Sequence, residues 1–266
     1  MEGTRFQGGL SLVELMIALV LSSFLVLGIT QVYLDNQRTY LFQQGQVQNQ
    51  ENRRFVSQFL QQELSRAGYR RNPLGQDMEA AFSGTSGGIV KGCSFAPGQA
   101  VQYVGRSALC IRYQPRDRSE RDCLGNRAPN LAELAEPYAS THFVFVEKIY
   151  LGSSGDLRCA SAQGDEALVD GLVDLVFQVA VASDARPREL VRYIGGSPDD
   201  GQPVVGVGYK ALLRSSGKTL RDAVSKAAAV ADWKLLTGAE PSAVSGDSGQ
   251  LYQVIQGAVM LRNLMP

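Results

Sequence analysis

The chain has 266 residues, with 26 basic and 26 acidic side chains that cancel to a formal net charge of zero. That length bounds the chain at one large domain or two small ones, long enough to bury a real core. The balanced charge excludes a general nucleic-acid binder, which carries a basic excess, and the paired arginines Arg53-Arg54 and Arg70-Arg71 read as solvated helix faces or ends.

Taken from the start, the chain offers FQGGLSLVELMIALV, residues 6–20. From Leu10 to Leu34 the only charged residue is Glu14. As a helix these residues span about 37 Å at roughly 1.5 Å per residue, more than the roughly 30 Å of a hydrocarbon core. An ordinary secretory signal has a shorter apolar run followed by a small-residue cleavage site, and neither holds here. A plain membrane anchor, with Arg5 held inside, leaves Glu14 unexplained, because a carboxylate in a spanning helix normally has a partner. A cut between Gly9 and Leu10 makes Glu14 the fifth residue of the product. Its carboxylate then lies one turn from its own new amino terminus and can equally meet the terminus of a neighbouring subunit.

The stretch GGLSLVELMIAL resembles the class III prepilin leader of type IV pilins and type II secretion pseudopilins. The resemblance implies that a membrane peptidase cuts after Gly9 and methylates the new terminus at Leu10, leaving the apolar segment in place. The family usually has phenylalanine where this chain has Leu10.

After the apolar run comes QQGQVQNQENRR, residues 43–54, polar and free of proline, so the helix continues. Val56, Leu60 and Leu64 recur at four-residue spacing with Phe55 and Phe59 beside them, a face that packs on a head. Gly68 and Pro73 supply a stop. The pattern predicts one helix from about Leu10 to about Ala67, with Gly28 and Gly45 as soft points, and the aromatics are read as core packing.

Residues 74–98, rich in Gly, Ser and Ala, read as loop. Strands are predicted at Ala108–Tyr113 and His142–Leu151, with Leu157–Cys159 continuing a hairpin after GSSGD, and then at Leu172–Ala182, Val204–Arg214 and Leu251–Arg262. Thr219–Leu236 is alanine-rich and reads as helical for part of its length. A helix followed by strands gives an α+β class, with the helix lying across an antiparallel sheet.

The four cysteines, Cys93, Cys110, Cys123 and Cys159, form no C-x-x-C pair, and the only histidine, His142, is distant in sequence. Zinc and thioredoxin-like sites are therefore disfavoured, no metal is expected, and an even count behind an export-like segment points to two disulfides in an oxidising compartment. Three pairings are open.

The head extends the resemblance. RRFVSQFLQQELSRAGYR, DCLGN at Cys123, LVDGLVDLVFQ after Cys159 and the terminal LRN resemble the PilW-type minor pilins, and J-class pseudopilins of type II secretion share the leader and a large head. The chain departs at GYKALLRSS, where a tryptophan normally precedes the strand, and its only tryptophan, Trp233, falls in the alanine-rich insertion. The resemblance favours Cys123 with Cys159, and hence Cys93 with Cys110. It implies a type IV pilin-like fold divided into a leader (1–9), a transmembrane half-helix (10–34), an amphipathic half-helix (35–68) and a head (69–266). It also implies an inner-membrane protein with its head in the periplasm and later on the pilus, whose partners are other minor pilins, the major pilin, the prepilin peptidase, the assembly machinery and a tip adhesin.

No catalytic constellation emerges. A nucleophile–histidine site must use His142, in an apolar alternating run. There is no Walker A sequence, and Gly206-Val207-Gly208 lacks the third glycine of a dinucleotide loop. Asp199, Asp200 and Asp247 lack an EF-hand pattern and read as solvated turns. No enzyme and no cofactor are expected. The readings that stand are a structural pilin subunit, a pseudopilin, and a head that binds an adhesive ligand.

Overall fold

The structure is a computed structural model that describes residues 11–85, 88–129, 132, 134–183, 189–199, 201–217, 224–241 and 249–265. The chain divides into two units, Met1–Gln44 and Gly45–Pro266. Helix α1, Leu12–Arg66, runs unbroken through Gly28 and Gly45. Its end is fixed by Gly68, whose φ of 73° is a left-handed conformation that glycine adopts freely. The Gly68 N–H is held by the Arg112 carbonyl at 2.9 Å. A side chain at Gly68 would also meet Leu264, whose Cδ2 lies 2.1 Å from the Cβ position.

The second unit holds the rest of the secondary structure. A five-stranded antiparallel sheet has the order β1-β2-β3-β4-β5, each strand beside its successor. Its strands are β1 (Val101–Gly105), β2 (Ala108–Tyr113), β3 (Phe145–Leu151), β4 (Asp156–Ser161) and β5 (Gly164–Asp170). A four-stranded antiparallel sheet has the order β7-β6-β8-β9. It comprises β6 (Leu172–Val181), β7 (Arg192–Ile194), β8 (Val204–Arg214) and β9 (Tyr252–Met260), and a 3-10 turn, Arg262–Leu264, follows. The head strands thus divide between two sheets rather than lying in one.

The two sheets and α1 share a core. Val56, Leu60 and Leu64 of the helix, with Ala67 just past its end, meet Leu109, Ile111, Ile149 and Leu157 of the first sheet and Leu175, Phe177, Val207 and Ala211 of the second. Phe59 packs against this core, but Phe55 is 42% exposed, its ring stacked on Phe59 at 5.9 Å. The expectation that both aromatics are core fails for Phe55. It sits one residue from Val56, about 100° around the helix, and so turns off the buried face.

Each sheet has its other face covered by a further segment of the head. On β2, Leu109, Ile111 and Tyr113 point to the shared core, so Cys110 and Arg112 point the other way. There they meet the loop after the short helix α2 (Met78–Ala81), through Val90, Cys93 and Phe95. On the second sheet the cover is α3, Val224–Thr237, whose Trp233 packs on Val173, Val176 and Leu212. The alanine-rich segment is therefore a partner of its own sheet.

Candidate functional site

The apolar helix comes first. Every described residue from Ser11 to Leu41 is exposed, Phe24 by 68% and Leu12 by 74%. A run of this length with its apolar side chains uncovered needs lipid or other helices around it. Three hydroxyls inside the run are already satisfied. Ser22, Ser23 and Thr30 donate to the carbonyls of Leu19, Val20 and Val26 at 3.0, 2.8 and 2.7 Å. That is the arrangement a helix in hydrocarbon requires, since no water is present to accept those protons. At Gly28 an added Cβ would meet nothing within 4 Å, so the helix has a notch there, lined by Leu21, Phe24, Leu25, Ile29 and Val32. Small residues of this kind let membrane helices approach closely.

Glu14 lies in the first turn of α1, the one carboxylate among exposed apolar neighbours. The helix dipole favours a negative charge at this end. Gly9 and Leu10, with Arg5, lie outside the described residues, so the expected cleavage and methylation positions have no described geometry.

Two disulfides sit in the head, joining Cys93 to Cys110 and Cys123 to Cys159, with Cα separations of 5.9 and 6.4 Å. The first ties the covering loop to β2. The second ties the turn around Asp122 to β4, and Asp122 shapes that turn by accepting the N–H groups of Leu124 and Asn126 at 3.0 and 2.7 Å. Cys123, Cys159 and Glu147 lie close together, but the joined sulfurs offer no thiolate to a metal. Replacing Cys123 and Cys159 together by serine will lower unfolding stability by about 2–4 kcal/mol, read from denaturant midpoints of the full chain in detergent. An unchanged midpoint would contradict this.

Around the second disulfide is a buried polar group that sequence reading missed. Glu63 of α1 and Glu147 of β3 are 4% and 0% exposed. Glu147 Oε1 accepts the Tyr113 hydroxyl at 2.7 Å and the Cys123 N–H at 2.8 Å. Arg66 Nη1 donates to Glu63 Oε2 at 2.8 Å and to the Arg121 carbonyl at 3.1 Å. Burial, together with the adjacent carboxylates, pushes the Tyr113 hydroxyl far above its ordinary range. The missed signal was register. In HFVFVEKIYL, Glu147 falls in phase with Phe145 and Ile149, on the inward side of the strand.

The remaining sequence candidates do not converge. His142 is exposed, ahead of β3. Gly206-Val207-Gly208 is extended strand within β8, with the Tyr193 ring lying over Gly208. Asp199 is exposed, and Asp200 and Asp247 lie outside the described residues. Of the arginine pairs, Arg53 and Arg54 are exposed, but Arg71 is 3% exposed, which corrects its reading as a solvated residue. Its guanidinium donates to the main-chain carbonyls of Arg116, Glu136 and Ala139.

With this geometry in view, the N-terminus is the decisive region. Residues 4–30 match the model of the prokaryotic N-terminal methylation motif. No curated protein matches the chain. Among solved structures, a type IV-like pilin from Thermus thermophilus aligns with 80% of this chain and 95% of its own, at 13% identity and a TM-score of 0.38. The chain thus joins an N-terminal methylation motif to a long apolar helix and an antiparallel β-sheet head.

Proposed function

We propose that this chain is a minor pilin of the PilW type, a structural subunit that joins other minor pilins in the inner membrane and primes assembly of a type IV pilus. The observation that carries the reading is the methylation motif over residues 4–30, overlapping a helix that is exposed at every described residue from Ser11 to Leu41. In this reading the peptidase cuts after Gly9 and Leu10 becomes the methylated terminus. The head then faces the periplasm, reaches the cell surface with the pilus, and selects which subunits fit beside it.

The role of Glu14 follows from magnitudes. A carboxylate at the centre of a spanning helix costs about 2.5–3.5 kcal/mol on insertion scales, and less toward the end. Opposite charges about 4 Å apart attract by about 4 kcal/mol at an effective dielectric near 20. Pairing with a neighbour's amino terminus thus offsets the cost, and an unpaired subunit stays at a disadvantage until it docks. Glu14→Ala is expected to leave the protein stable and cleaved while reducing its co-purification with partner pilins. Undiminished co-purification would remove this role.

The proposal as a whole is tested by deleting the chain and measuring sheared surface pili beside secreted exoproteins. Lost pili with normal secretion support the minor pilin. Intact pili with blocked secretion would instead make the chain a J-class pseudopilin. Intact pili and secretion, with lost surface attachment, would point to an adhesive head.

A further inference from the structure

Glu63 sits between Leu60 and Leu64 on the buried face of α1, and Glu147 sits on the inward face of β3. Arg66 Nη1 lies 2.8 Å from Glu63 Oε2 and 3.3 Å from the Tyr113 hydroxyl, which itself donates to Glu147 Oε1 at 2.7 Å, so the two carboxyls converge on one buried point. The donors around them are few. Glu147 Oε1 is filled by Tyr113 and the Cys123 N–H, whereas Glu147 Oε2 is fully buried and has no donor among the described residues. Glu63 has Arg66, which also lies 3.5 Å from the Glu120 carboxylate. The Arg121 guanidinium turns away to the Gly125 carbonyl and supplies only its own carbonyl here. With every carboxyl ionised, Glu63, Glu120 and Glu147 would face one guanidinium, and Glu147 Oε2 would be orphaned in a dry site, an arrangement that folding does not tolerate cheaply.

We propose that Glu63 and Glu147 share one proton, and that this proton latches the last turns of α1 to the first sheet. The shared proton gives Oε2 its missing donor and cancels one of the excess charges. Tyr113 and the Cys123 N–H hold Glu147 in place, so the latch joins the helix, β2, β3 and the disulfide-bearing turn at one point.

The direction of the pH dependence follows. Burial pushes both carboxyls up, Glu147 to about 8, from an ordinary value of 4.5. The folded head therefore keeps a proton that the unfolded chain releases. The latch's contribution is whole below about pH 4.5 and drains as pH rises through about 8. Acid tightens the helix on the head, and alkali loosens it.

The test uses the full chain in detergent micelles, with denaturant unfolding at pH 5, 6.5 and 8 for wild type and Glu147→Gln. The amide of the variant supplies a donor that does not titrate. For one proton, the wild-type folding equilibrium should fall by up to roughly tenfold per pH unit across this window relative to the variant. Parallel pH profiles for the two proteins would overturn the latch. Should Glu147→Gln fail to fold, Glu63→Gln and infrared spectroscopy of the wild type decide. A protonated-carboxyl band present at pH 6.5 and lost above pH 8 supports the shared proton, and absence of that band at pH 6.5 rejects it.

Discussion

Trp233→Ala will remove about 3–5 kcal/mol of unfolding stability, measured by circular dichroism in a denaturant titration of the full chain. The indole has no exposed surface and fills the space between α3 and the second sheet, touching Val173, Val176 and Leu212 with Tyr252 and Val254 beside them. Its Nε1–H donates to Asp174 Oδ2 at 3.1 Å. Asp174, itself 1% exposed, is also held by Arg106 at 2.8 and 2.9 Å and by the Leu175 N–H at 2.9 Å. Alanine leaves a cavity under the helix and takes one donor from a buried carboxylate. Trp233→Phe separates the two effects. Most of the volume stays, so the loss should fall to roughly 1.5–3 kcal/mol, the range for a hydrogen bond to a charged group. Equal losses for the two variants would mean that the hydrogen bond, not the packing, secures α3. Lys210 gives the helix a second hold, its ammonium donating to the Leu236 carbonyl at 2.7 Å, so α3 should loosen rather than detach.

Arg112→Leu is the second large loss, of about 3–5 kcal/mol, the range for stranding the partners of a buried charge. The guanidinium is 2% exposed and its partners are all main-chain carbonyls: Ser83 at 2.6 Å, Ala96 at 2.9 Å, Phe82 at 3.1 Å, and Gln99. The rings of Phe82 and Phe95 lie 5.2 and 4.6 Å from its central carbon. Burial without a carboxylate pushes its pKa down to about 10, still charged at neutral pH. Leucine strands those carbonyls, and the covering loop then depends on the Cys93–Cys110 bond, the Ser94–Gln102 hydrogen bonds to β1 and its apolar contacts. Limited proteolysis should therefore nick the 82–99 segment much faster than in wild type, with the core strands spared. Wild-type resistance in that segment would show that the remaining ties suffice without the guanidinium.

Both sites bear on what could be read from residue order. The bounds predicted for β2 and β8 coincide with those observed, and α1 ends within a residue of its predicted stop, because period-two and four-residue spacings and the Gly68 stop are local signals. Three strands gave no such signal. β5 is GDEALVD, acidic and mostly exposed, β7 has only three residues, and β1 is a short VQYVG. Division into two sheets was also hidden, since alternation says that one face is buried and not against what. The leader was legible because glycine, apolar residue and lone carboxylate occur in one run. The Glu63–Glu147 pair joins residues far apart in the chain, and only the inward phase of Glu147 hinted at it. Trp233 looked like an oddity of an insertion for the same reason: Asp174, its partner, is distant in sequence.

Arg71 and Arg112 have a consequence for variation. Each grips a loop by its carbonyls, groups that every amino acid carries alike. These guanidinium contacts therefore place no demand on the identity of the side chains at the gripped positions. Residues there can be exchanged, or an epitope written into them, while the path of the chain is kept, so a head built this way can change its outer appearance without redesigning its frame.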